Sequence, residues 1–303
     1  MAARLWGLFL AGNFLMTAGF VAIVAHAMAL SIPAVLTLEF AALIALPALL
    51  VTASFIQAAA LDRSDDARRL RLGPMLGAIL SECLYFDRAA LAIVTAPCVD
   101  AREFEAPASR ARPVLLIHGI LCNRGVWRPW IARLRACGFG PVRAVDLEPL
   151  LGNLEAHAET VARELLDLQH NCQGARVTMI AHSMGGLVAR AALRRVGAAV
   201  VHEILTIASP HHGTAIARPF PWPPARQMRL DSSWLRALGT AAEPSGVTII
   251  SIFSPQDNLV VPACSAILDG ARVLEFPGMG HLGLLGRRRC IDAALATLAP
   301  ASG

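Results

Sequence analysis

Apolar residues are spaced in three different ways along this chain. No charged residue occurs from Leu5 to Leu30, and Phe40 to Ala60 is a second uncharged apolar run. A helix that crosses a bilayer needs about 20 predominantly apolar residues, and both runs are that long. Between them come Ser31-Ile32-Pro33 and then Glu39, residues that suit a turn at a membrane surface. The pattern predicts a membrane anchor over residues 1–61, a hairpin of transmembrane helices at about 5–30 and 40–60.

Residues 62–110 read as a connector. Leu72 to Ala92 mixes apolar positions with Glu82, Asp87 and Arg88, which suits one helix lying against the membrane or the next domain. Ala106-Pro107-Ala108-Ser109 reads as a short linker.

From residue 111 to 303 the pattern changes again. Short apolar runs at Pro113–Ile117, Val142–Leu147, Val177–Ala181, Glu203–Ala208, Val247–Phe253 and Arg272–Phe276 are strand candidates. Helical spacing fills Trp127–Cys137, Leu154–His170, Gly185–Val196 and Arg289–Leu298. Alternation of strand and helix predicts an α/β domain with a mainly parallel sheet and helices on both faces. Functional groups in such sheets gather at the carboxyl ends of the strands.

Composition adds two points. Hydrophobic residues make up 55% of the 303 and charged residues only 16%, against about 25% charged in a soluble domain. The apolar excess is concentrated near the N-terminus. The net charge is +5 and every basic side chain is Arg. Those arginines are scattered, apart from Arg287–Arg289 and the run Arg63 to Arg71, so no nucleic-acid-binding face is expected.

Basic residues flank the two apolar runs, at Arg4 and at Arg63, Arg68, Arg69 and Arg71, and none lies between them. That bias places both ends and the catalytic domain on the cytoplasmic side of the inner membrane. The alternative is a cleaved signal ending near Ala25-His26-Ala27, which would put the domain on the periplasmic side. Seven scattered cysteines with no CxxC suggest buried thiols rather than a zinc site.

The chemistry sits at the strand ends. Ala181-His182-Ser183-Met184-Gly185-Gly186 lies between a strand and a helix. A serine on that sharp turn needs small residues two places on either side, which Ala181 and Gly185 provide in a variant of the GxSxG pattern. Ser183 then stands at a helix N-terminus, which favours developing negative charge. Oxyanion donors are expected from the backbone N–H of Met184 and, in the His118-Gly119-Ile120 loop after the first strand, of Ile120. Asp257, after VTIISIF, is the candidate acid; His281, in the loop Pro277–His281, is the candidate base. Asp269 and Glu275 compete less well for the acid role, and His202, His211 and His212 are misplaced in chain order for the base. His118 and His182 read as supporting residues.

These motifs together resemble bacterial triacylglycerol lipases and esterases of the α/β-hydrolase superfamily. The likeness rests on LLIHGI at 115–120, AHSMGG at 181–186, SPHHGT at 209–214, QDNLVVP at 256–262 and GHLGLL at 280–285. It implies the α/β-hydrolase fold, carboxylic-ester hydrolysis through an acyl-enzyme carried by Ser183, Asp257 and His281, an acyl-ester or lipid substrate, and no organic cofactor. Lipase relatives place a lid over the site where this chain has residues 215–245. The same triad would also serve an acyltransferase or thioesterase, and a catalytically dead membrane scaffold is the third alternative.

Overall fold

The computed structural model describes residues 1–28, 30–64, 66, 71–96, 112–240 and 246–298. Arg68, Arg69, Cys98, the linker 106–109 and residues 241–245 of the expected lid lie outside the described residues.

Six strands form one parallel sheet: β1 (Val114–Ile117), β2 (Val142–Val145), β3 (Val177–His182), β4 (Val201–Ile207), β5 (Thr248–Phe253) and β6 (Arg272–Glu275). Their order is β2-β1-β3-β4-β5-β6. Alternate residues of one strand feed two cores. Leu115 and Ile117 of β1 enter one, with α5 (Leu154–Asn171) and α6 (Met184–Val196). Val114 and Leu116 enter the other, with α4 (Arg128–Ala136), α9 (His281–Gly286) and α10 (Arg288–Leu295). Both faces of the sheet are covered, which is why its central strands read as unbroken apolar runs. Two further short helices, α7 (Pro223–Gln227) and α8 (Ser233–Thr240), lie between β4 and β5.

Among the described residues before β1 three helices form: α1 (Ala2–Met28), α2 (Ile32–Leu61) and α3 (Leu72–Thr95). Both α1 and α2 are long and apolar enough to cross a membrane, with mean hydropathy of 2.0 and 2.3 over their most apolar stretches. The second begins earlier than expected. Pro33 sits in its first turn, where no backbone donor is needed. Glu39, expected at the turn, lies inside α2 and accepts a hydrogen bond from Thr17 Oγ1 of α1 at 2.7 Å. A polar group on an apolar helix gains most by meeting a partner on its neighbour, so this pair joins the hairpin.

Helix α3, in the expected connector, packs against the parallel-sheet domain. Asn123 Nδ2 donates to Ile93 O at 2.9 Å, and Arg128 donates to Thr95 Oγ1 at 2.9 Å. Along α9, a Cβ at Gly280, Gly283 or Gly286 would overlap Glu82, Ser81 or Tyr85 of α3. Three glycines three residues apart therefore let the two helices touch. Among the described cysteines, Cys83, Cys122, Cys137, Cys172, Cys264 and Cys290 are free thiols; Cys137 and Cys264 are exposed, contrary to the expectation of buried thiols throughout.

Candidate active site

Ser183 joins β3 to α6 with φ 55° and ψ −127°. A side chain at positive φ is strained, and packing on both sides of the turn holds it there. A Cβ at Gly185 would overlap the carbonyl oxygens of Ile117 and His118 at the end of β1; one at Gly186 would overlap the Ser209 side chain. At Gly119 an added Cβ would come within 2.9 Å of Ser183 Cβ. Ala181 is fully buried in the core, so its methyl fits where the usual pattern has glycine.

The Ile120 N–H has no acceptor among the described residues, and that of Met184, in the first turn of α6, has no intrahelical partner. His118 is neutral in role. Its Nδ1 lies 2.8 Å from Gly119 O, its Nε2 accepts the Leu147 N–H at 3.0 Å, and burial lowers its pKa. It pins the loop that carries Ile120.

Asp257 and His281 form a buried pair. His281 Nδ1 lies 3.0 and 3.1 Å from the two Asp257 oxygens. Asp257 Oδ1 also accepts the N–H groups of Leu259 and Val260 at 2.8 and 2.9 Å. Burial pushes the His281 pKa down, but Asp257 and Glu82 outweigh it and leave it raised. Asp269 and Glu275 are exposed, Glu275 at the end of the edge strand β6.

His281 is the first residue of α9, not part of a flexible glycine loop. Its backbone N–H donates to Asn258 Oδ1 at 3.0 Å. The next two N–H groups, of Leu282 and Gly283, donate to Glu82 at 2.9–3.0 Å. Glu82 is thus a site residue that sequence reasoning missed. Burial raises its pKa to about 7, opposed by the charge of His281 and by the two N–H groups. The available signal was a carboxylate in the apolar half of an otherwise amphipathic helix.

His182 is buried beside His281, ring centroids 4.7 Å apart. Burial and the neighbouring imidazole keep it well below its ordinary pKa, hence neutral. His211 is buried against Thr206 Oγ1 at 3.1 Å, a structural role consistent with its place in the chain order.

Ser183 and His281 open onto one cavity of about 600 Å³ whose lining is almost entirely apolar. No hydrogen bond joins their side chains among the described residues; such contacts tighten on substrate binding in many hydrolases. One wall comes from the expected lid region, through Ile216, Phe220, Trp222 and Met228. Phe220 and Trp222 are stacked, 5.0 Å apart. Helix α8, from Ser233 to Thr240, belongs to the same region.

Residues 150–274 match the family model described as PGAP1-like alpha/beta domain. That stretch contains Ser183 and Asp257 and ends before His281. A GPI inositol-deacylase of Candida albicans is 37% identical over 131 residues, which cover 40% of this chain and 28% of that protein. Among solved structures, a Bacillus licheniformis lipase in mature form matches with a TM-score of 0.55 at 15% identity, over 63% of this chain and 94% of that one. Aspergillus fumigatus lipase B matches with a TM-score of 0.55 at 20% identity, over 63% and 54%. Identity that low speaks to architecture alone, and on architecture the parallel-sheet portion of this chain has the α/β-hydrolase fold of these lipases.

Proposed function

We propose that this chain is a membrane-anchored serine hydrolase that cleaves carboxylic esters of lipids. The reading rests on one observation above the others: a strained Ser183 and His281, itself paired with buried Asp257, line one apolar cavity. His281 Nε2 takes the Ser183 proton as Oγ attacks the ester carbonyl. The N–H groups of Ile120 and Met184 receive the developing oxyanion. His281 then protonates the leaving alcohol, and water releases the acyl group from Ser183 by the same steps in reverse. The Candida relative's name specifies deacylation of an inositol, which supports an acyl ester as the scissile group.

In this reading residues 1–61 anchor the protein, 62–110 connect, 111–303 catalyse, and 215–245 cover the site as a lid. The amino terminus of α1 contacts Glu148, and Ser54 near the end of α2 contacts Asn258. The two hairpin ends away from its turn therefore both meet the hydrolase domain, which supports one side of the membrane for both ends. With Arg4, Arg63 and Arg71 there, that side is the cytoplasmic face.

Ser183→Ala in the full chain should fold normally yet lose p-nitrophenyl ester turnover and fluorophosphonate labelling. Turnover at the wild-type rate in that variant would remove Ser183 from the mechanism.

A further inference from the structure

A tether needs only to be apolar outside, yet α1 and α2 reach into the active-site cavity. Trp6 and Phe9 of α1, Leu50 and Val51 of α2, and Phe86 of α3 line it together with Ser183. The α1 wall is fixed in place. Trp6 Nε1 donates to Leu121 O at 2.8 Å, next to the loop that carries Ile120. Its ring packs edge-on to Phe9 and Phe86, with centroids 5.7 and 5.4 Å away.

The depth of these residues is informative. Leu50 lies about 16 Å along the axis from the end of α2 at Leu61, and Phe9 about 10 Å from the start of α1. Both positions fall inside the uncharged runs. Next to them, Leu8 and Leu49 point outward, 73% and 65% exposed, as residues facing lipid would. The wall is one helix thick: bilayer on one side, catalytic cavity on the other.

We propose that α1 and α2 are part of the substrate site, forming a slot that holds the acyl chain of a membrane lipid at bilayer depth while its ester reaches Ser183. The proposal rests on the hydrolase reading above and adds the ligand's class, a long acyl chain, and the residues that select it. A chain in this slot never crosses water. Its transfer from the bilayer is apolar to apolar, so the large cost of exposing each methylene is avoided.

The test uses the full chain in detergent micelles and nanodiscs. Leu50→Trp places a larger ring at the rim of the slot, where partial exposure leaves room for it. It should lower the ratio of kcat/KM for the palmitate ester to that for the acetate ester by roughly tenfold, the loss expected when a few methylenes lose their contacts. Leu15→Trp, on the lipid-exposed side of α1, should leave that ratio unchanged. A long-chain alkyl fluorophosphonate with a terminal diazirine gives a direct readout. After reaction at Ser183 and illumination, its adducts should fall within residues 5–9 and 50–54. Adducts confined to residues 216–228, or an unchanged ratio in Leu50→Trp, would overturn the slot. Absence of labelling and of turnover on every ester in the wild-type protein would instead overturn the hydrolase reading.

Discussion

The proposed nucleophile and the proposed base are held by opposite means. Ser183 is fixed by its own strand, by the helix that follows it at once, and by the end of neighbouring β1. His281 is fixed from far away. Glu82 caps the first turn of its helix from two hundred residues upstream, and Asn258 holds its backbone while bonding to Ser54 of α2. One half of the site is a local product of the sheet. The other half is braced by two helices from the N-terminal part of the chain, α2 and α3.

Breaking the local half should have the largest effect. In Gly185→Val the new Cβ meets the carbonyls of Ile117 and His118, which belong to the strand ladder and its exit loop. Neither can retreat without opening the sheet. A loss of about 3 kcal/mol or more is expected from overpacking against backbone, together with loss of fluorophosphonate labelling. Thermal unfolding and labelling measure both. Wild-type melting with full labelling would show that close approach does not hold the nucleophile turn.

The same contrast explains what was legible in the sequence. Ser183, Gly185 and the strands around them are neighbours in the chain, so AHSMGG between an apolar run and a helix announces the turn. Asp257 and His281 are legible through order alone, each just past a strand. The start of α9 is not, because Pro277–His281 reads as a loop and nothing local marks Gly280, Gly283 and Gly286 as a helix contact. Their role is contact with α3, a partner that no local pattern names. Glu39 reads as a turn residue, and Glu82 carries no assigned role in the sequence, for a related reason. A lone carboxylate in an apolar stretch reads as a surface or turn residue until the group it bonds is known.

Glu82→Gln tests the distant half directly. Buried beside His281 and Asp257, the carboxyl titrates near 7 in the folded protein against 4.5 for its ordinary value. A raised acid binds its proton more tightly when folded, so its contribution to stability is greatest below 4.5 and is lost as pH rises to about 7. The loss across that window is up to about 3 kcal/mol. Glutamine does not titrate, so the variant should gain on the wild type as pH rises through the window. Its His281 loses one of the charges that raise its pKa. The acid limb of kcat/KM should therefore move to lower pH, with a rate loss at the optimum of less than about tenfold. Denaturant midpoints and pH–rate profiles read the two effects. A stability difference that is the same at every pH, with an unmoved profile, would show that Glu82 and His281 do not sense each other.

Ser54→Ala should have the smallest effect and the narrowest meaning. Ser54 Oγ accepts from Asn258 Nδ2 at 2.8 Å, and Asn258 Oδ1 in turn accepts the His281 N–H. Removing the hydroxyl leaves Asn258 and its bond to His281 in place and severs only the link to α2. A partly buried hydrogen bond contributes about 1 kcal/mol net. If its whole effect reached the base, kcat/KM would fall about fivefold. Measured on an acetate ester, which is too short to need the acyl slot, any loss reports the positioning of His281 rather than chain binding. Unchanged kcat/KM would mean the anchor supplies a wall and a tether but no support to the base. A loss exceeding that of Glu82→Gln would reverse the ranking and make α2, rather than α3, the main outside support of His281.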